Sequence, residues 1–293
     1  MKLHSHIPHS ALRTPHLNRA FTMVEIAISL AIIGFALVAI IGVLPMGMSV
    51  QKDNREQTVI NLDAAYLMDV IRSGSLGQDN LTNYIVFLTN SQVARTSSGP
   101  SWPVVYVFTP TNSNFPGVVL TNGATIVGML STPKYIPIAN ASPLPGFAGF
   151  WSNSVTAVFR AINAPAVDQG LSQASRDFAF QYLVTVEIVP SAEYAYAGGG
   201  GNWLNLTAPA ATAFTNSTTN AEAFAQHLQA NLYDIRLTFR WPVLGNGQLG
   251  GGKQVFRSSV AGSPAAINKT DAFGTRTLTF YYMQPATYTA NTP

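Results

Sequence analysis

No cysteine occurs among the 293 residues. That absence excludes disulfide staples, cysteine-ligated zinc, thiol catalysis and a lipoprotein anchor. Charge is also scarce: Asp, Glu, Lys and Arg make up 10% of the chain against 47% hydrophobic residues, where a quarter charged is usual. The chain is therefore neither a disordered polyelectrolyte nor a typical charge-studded cytosolic enzyme. Histidine is nearly missing beyond the first twenty residues, which hold His4, His6, His9 and His16 and leave only His227. There is no G-x-S-x-G or H-E-x-x-H pattern, and acidic residues are too sparse for an EF-hand loop. The sequence pI of about 9.2 suggests a basic protein, but Lys2, Arg13 and Arg19 precede Phe21 with no acid among them. The remaining basic and acidic residues balance, so the excess charge belongs to a leader and gives a nucleic-acid partner little support.

The first twenty residues form no apolar face. Their histidines suggest a metal tract, but Pro8 and Pro15 interrupt it and no acidic co-ligand is present. A solvated cytoplasmic leader is the better reading. From Ile26 to Val50 the chain carries no charge, and Ser29 is the only clearly polar residue up to Met48. A helix of that length is about 35 Å long, enough to cross a bilayer core. Ser29 is expected to place its hydroxyl on a carbonyl one turn back. Basic residues precede the span, whereas Lys52, Asp53, Arg55 and Glu56 cancel after it. This asymmetry predicts a cytoplasmic N-terminus and an extracytoplasmic remainder.

Three readings compete for this segment. A secretory signal peptide has a shorter apolar core and a small-x-small cleavage site. A plain signal anchor fits the length. Neither accounts for Glu25, since an acid at the head of a membrane helix is costly. The third reading rests on Arg19-Ala20-Phe21-Thr22-Met23-Val24-Glu25 and the apolar run behind it. This segment resembles the prepilin cleavage and methylation segment of type IV pilins and type II secretion pseudopilins. The resemblance implies cleavage between Ala20 and Phe21 by a membrane-embedded prepilin peptidase, followed by methylation of the new N-terminus. The usual glycine before the cut is replaced by another small residue, Ala20. Glu25 then becomes the fifth residue of the mature chain, and its carboxylate is implied to meet the amine on Phe21 of a neighbouring subunit. Each buried charge is costly alone, and pairing neutralises both and fixes register.

Pro45 falls late in the run, between Gly42 and Gly47. Proline removes one backbone bond and clashes with the carbonyl of Ile41, so a kink is expected here, with a helix break as the alternative. Helical spacing resumes beyond it: Ile60, Ala64, Leu67 and Ile71 form a stripe that Val59, Leu62 and Tyr66 widen. Asp53, Glu56, Asp63 and Asp69 are expected to lie away from the stripe. Gly74 is expected to end the helix, with Arg72 in its last turn.

Beyond Gly74 short strand-like runs alternate with Pro, Gly, Asn, Ser and Thr. The predicted strands are Tyr84–Leu88, Val104–Phe108, Thr125–Leu130, Val155–Ile162, Phe178–Val189, Leu232–Trp241, Lys253–Ser258 and Arg276–Met283. In Leu232–Trp241, Tyr233, Ile235, Leu237, Phe239 and Trp241 point one way, and Asp234, Arg236, Thr238 and Arg240 the other. That is a half-buried antiparallel strand. The turn at 245–252 makes residues 232–260 a hairpin. The fold class is α+β: a long N-terminal helix, membrane-spanning over about residues 24–48, packed on an antiparallel β-sheet head, as in pilins. The expected divisions are a leader (1–20), the long helix (21–73) and a β-rich extracytoplasmic head (74–293). No repeat is evident.

Leu44–Gly47 (LPMG), residues 239–243 (FRWPV) and residues 254–262 (QVFRSSVAG) also resemble the Verru/Chthon cassette B family of prepilin-like proteins, which implies no known enzymatic activity. Gly198–Gly201 lacks the lysine and spacing of a phosphate loop and reads as a surface loop. His227 sits on a short amphipathic helix expected over AEAFAQHLQANL and reads as a packing or surface residue. Asp168, Asp177 and Asp271 are conceivable calcium ligands, but nothing in the sequence links them. Arg236, Arg240, Arg257 and Arg276 are expected on one outward face, as a solvated strand face or a basic stripe for DNA or acidic polysaccharide.

The resulting expectation is a structural subunit, a pseudopilin or minor pilin-like protein with no enzymatic activity, cofactor or metal. The implied partners are the prepilin peptidase, other pilin or pseudopilin subunits and an inner-membrane assembly platform. Alternatives are a tip pilin whose head binds DNA or glycan, and a membrane-anchored exported protein of other activity.

Overall fold

A computed structural model describes residues 21–74, 79–96, 99–137, 150–164, 180–190, 228, 231–285 and 287–288. The predicted leader, the glycine run at 198–201 and His227 lie outside the described residues, as does most of the helix expected around it. The chain divides into two units, one ending at Arg55 and the other beginning at Glu56. The boundary falls within a single helix, α1 (Met23–Ser73), which is 51 residues long. It continues through Pro45, so the alternative of a helix break is excluded. In the first unit every described residue is exposed. This is the one described helix long and apolar enough to cross a membrane.

In the second unit α1 becomes amphipathic. Val59, Ile60, Asp63, Ala64, Leu67, Met68, Val70 and Ile71 are buried at helical spacing. Asp63 is a correction to the sequence reading, because it lies on the apolar stripe and not away from it. Asp53 and Asp69 are exposed as expected, and Glu56 is half-buried. Gly74 ends the helix with φ 56°, and its N–H reaches the carbonyl of Ile71 at 3.3 Å. A Cβ there would lie 1.9 Å from the carbonyl oxygen of Met283. Gly74→Ala is therefore expected to lower stability by more than the ~1 kcal/mol typical of a left-handed glycine site alone. A urea titration of the full-length protein in detergent checks this.

Among the described residues the sheet has nine antiparallel strands. They are β1 (Ile85–Thr96), β2 (Gly99–Pro100), β3 (Val104–Phe108), β4 (Tyr135–Pro137), β5 (Phe150–Arg160), β6 (Gln181–Pro190), β7 (Leu232–Val243), β8 (Leu249–Thr270) and β9 (Thr277–Pro285). The order is β2-β1-β5-β6-β7-β8-β9, with β3 also on β1 and β4 also on β5. The predicted hairpin is present, running from Leu232 opposite Ala261 to Val243 opposite Leu249. The sequence reading stopped β8 at Ser258, but the strand is 22 residues long. Its first half pairs with β7 and its second half with β9. Gly262, with φ 134°, marks the changeover, and a Cβ there would lie 2.2 Å from the carbonyl oxygen of Gln284.

Residues Thr125–Leu130, predicted as a strand, are instead the second helix, α2 (Gly123–Leu130). Every residue of α2 except Ala124 is buried. A short run without an exposed face has no period to distinguish helix from strand, and β-branched Thr125, Ile126 and Val127 tilted the reading towards strand. Its start is capped: the Asn122 side chain accepts from the Ala124 N–H at 2.7 Å, and the Asp79 carboxylate accepts from Gly123 N–H at 3.1 Å. The helix lies against β9 at Gly128, where a Cβ would come within 2.7 Å of the Tyr282 hydroxyl. Tyr282 donates to the Ala124 carbonyl at 3.0 Å.

The core joins the α1 stripe, α2 and the inner sheet face. Ile235, Leu237, Phe239 and Trp241 are buried on β7 as the alternation predicts. Val184, Val186 and Ile188 of β6 face the same way. Across from Trp241, Gly252 leaves room for the indole, since a Cβ there would lie 2.4 Å from the ring.

Candidate functional site: the helix entry, a buried carboxylate and the outer sheet face

At the start of α1, Thr22 and Glu25 close a reciprocal cap. The Glu25 N–H donates to Thr22 Oγ1 at 3.2 Å. In return one oxygen of Glu25, Oε2, accepts from the Thr22 N–H at 2.9 Å and from the Thr22 hydroxyl at 3.0 Å. This is the T-x-x-E capping box, in which a side chain at each end satisfies an otherwise orphaned N–H. The sequence reading missed it, although the spacing of Thr22 and Glu25 was visible. Glu25 therefore has a role within its own helix. Its other oxygen, Oε1, has no bond among the described residues. Phe21 is 80% exposed beside it, and Ala20 lies outside the described residues. One turn on, the Ser29 hydroxyl donates to the Glu25 carbonyl at 2.7 Å, as expected. Gly42 and Gly47, on either side of Pro45, have open space where a Cβ would stand.

Asp63, in the second unit, is a buried carboxylate with no accessible surface. Its two oxygens accept from the Ile162 N–H at 2.9 Å and the Asn163 N–H at 2.7 Å. The carboxylate thus fastens α1 to the chain leaving β5. The fully buried Tyr182 hydroxyl faces the same carboxylate but falls short of hydrogen-bond geometry. Its ring lies 5.3 Å from that of Phe239. Desolvation raises the Asp63 pKa, and the two backbone bonds only partly oppose it. Desolvation and the neighbouring Asp63 charge push the Tyr182 pKa well up.

On the outer sheet face Arg236 stands opposite Arg257, and Arg240 opposite Lys253. Glu187 on β6 is opposite Arg236 and is bridged by Lys134 at 2.6 Å and by Arg236 at 3.2 Å. The hydrogen bond from Lys134 is the main reason that Glu187 has a lowered pKa, with Arg236 adding to it against desolvation. Arg276 does not share this face. It precedes β9, and its Nε lies 3.6 Å from a carboxylate oxygen of Asp271. Asp271 is itself occupied, accepting from the Thr275 N–H at 2.7 Å and hydroxyl at 2.8 Å. Desolvation works against its charge, but the Thr275 bonds and Arg276 outweigh it and hold the pKa low. Its carboxylate is spent on a turn, and Asp168 and Asp177 lie outside the described residues. Among the described residues no group of three His, Asp or Glu side chains could hold a metal ion.

Comparisons with protein families, with curated proteins and with solved structures find no match to this chain.

Proposed function

We propose that the chain is a structural subunit of the pseudopilin or minor pilin type, working in a type IV pilus or a type II secretion pseudopilus. The observation that carries this reading is the composition of the helix entry. An acid stands at the head of an uncharged, fully exposed membrane-length helix, four residues after a phenylalanine that follows a basic leader. After cleavage between Ala20 and Phe21, the Thr22 N–H remains an amide, so the capping box survives trimming. Glu25 Oε1 is then free to meet the amine of a neighbouring subunit, where the paired charges neutralise one another. In this reading the leader is cytoplasmic, the span lies in a bacterial inner membrane and residues 74–293 are extracytoplasmic. The prepilin peptidase, sister subunits and an assembly platform are its partners. Glu25 and Phe21 carry assembly, and no catalysis is assigned.

One observation favours a second reading. The capping box gives Glu25 a purpose that requires no neighbour, which suits a simply tethered exported protein. Mass spectrometry of the protein from its native host separates the two. A mature chain beginning at a methylated Phe21 is the expected result, and a chain beginning only at Met1 overturns the subunit reading.

A further inference from the structure

The outer face of β7 and β8 gathers more positive charge than strand stability favours. Arg236 faces Arg257 and Arg240 faces Lys253 directly across one ladder, although like charges in opposed positions destabilise a sheet. All four are exposed. With Lys134 they make five cations, set against two carboxylates, Glu187 and Asp234. Glu187 is already shared by Lys134 and Arg236, and Asp234 stands on the far side of Arg236. Arg240, Lys253 and Arg257 have no carboxylate partner among the described residues. In a chain with only 10% charged residues, this grouping is not explained by solubility alone.

The grid has a definite shape. Opposed cations on neighbouring strands are about 4.8 Å apart at the backbone, and the two rows are separated by four residues, or about 13 Å along the strand. Between the rows lie Thr185, Thr238 and Val255, opposite one another. No aromatic side chain stands at these positions, so bases have nothing to stack on. With about three unpaired cations, counterion release supplies only weak attraction to a duplex. The Thr185 and Thr238 hydroxyls between two cation rows suit instead a hydroxyl-rich chain carrying spaced acids. Guanidinium groups grip carboxylates through two parallel bonds.

We propose that the outer β7–β8 face binds an acidic glycan, with Arg240, Lys253 and Arg257 holding its carboxylates and the threonine row facing its sugar hydroxyls. This inference concerns the sheet face alone and does not rest on filament assembly. The test uses the full-length protein in nanodiscs, with polygalacturonate, neutral dextran and a short duplex DNA as probes. Polygalacturonate is expected to bind at about 50 mM salt and to weaken towards about 200 mM, while dextran does not bind. The triple variant Arg240→Gln, Lys253→Gln, Arg257→Gln is expected to lose at least about tenfold in affinity, since each tenfold is a modest 1.4 kcal/mol. Its unfolding midpoint should stay level or rise, because the opposed like charges are gone. Lys269→Gln, at the other end of β8, should bind as the wild type does. Equal binding by the triple variant, no binding at low salt, or tighter binding of the DNA overturns the proposal.

Discussion

If the chain is the filament subunit proposed above, replacing Glu25 by glutamine is expected to leave the protein in the membrane and to remove it from the assembled polymer. The substitution separates two roles that alanine or valine confounds. Glutamine can still serve at the third position of a capping box, accepting from the Thr22 N–H that Glu25 now holds at 2.9 Å. Helix and insertion should therefore survive, whereas the charge that would meet a neighbour's amine is gone. Leaving that amine unpaired in lipid is expensive, and breaking one partner of a buried ion pair typically costs about 3–5 kcal/mol. Incorporation should accordingly fall by more than about a hundredfold. Co-sedimentation of the variant with sheared filaments, beside a membrane fractionation, reads both quantities. Glu25→Ala removes cap and charge together, so it should also fail to assemble and should fray the first turn in addition. If Glu25→Gln assembles normally, the charge-pairing role is lost and the cap alone explains the residue.

Removing the Asp63 carboxylate should markedly lower the stability of the second unit. Asp63→Ala removes the carboxylate to which the part-buried Ile162 and Asn163 N–H groups donate. Each lost bond costs about 1–3 kcal/mol, so a total of about 2–6 kcal/mol is expected in a denaturant titration. Its acidity adds a second, signed signature. Asp63 has its pKa raised by burial, so the folded protein holds this proton more tightly than the unfolded chain does. Its ionisation therefore subtracts stability as pH rises from about 3.9 through the raised folded value. Glu187 and Asp271 have lowered pKa values and contribute the opposite slope, losing stability as pH falls towards and below the ordinary carboxylate range. The clean measurement is thus a difference: the midpoint of the wild type minus that of Asp63→Asn across this window. A difference that declines with rising pH is expected. A flat difference would mean that folding leaves the carboxyl's pKa unchanged, and a difference that rises with pH would mean that its two backbone bonds outweigh burial.

Much of the architecture was legible in the residues. The alternation of Tyr233, Ile235, Leu237, Phe239 and Trp241 against Asp234, Arg236, Thr238 and Arg240 placed one strand and its inner face, because a period of two has one physical reading. The uncharged run after Glu25 and the stripe from Ile60 to Ile71 placed one long helix, and Gly74 its end. The same stripe also contained Asp63, three residues after Ile60. Its spacing places it on the buried face, whereas its charge argues for the surface unless distant partners satisfy it.

Local chemistry in the sequence thus determined the membrane-length helix, the strand alternation and the concentration of basic excess in the first twenty residues, since these depend on neighbours within a few residues. Tertiary structure decided the rest. The acceptor role of Asp63 needed N–H groups about a hundred positions away. The helical state of residues 123–130 needed β9 to bury it, and the grouping of Arg236, Arg240, Lys253 and Arg257, without Arg276, needed the register of β7 on β8. Such facts follow from which distant segments pair, and no local preference of a short stretch encodes that choice.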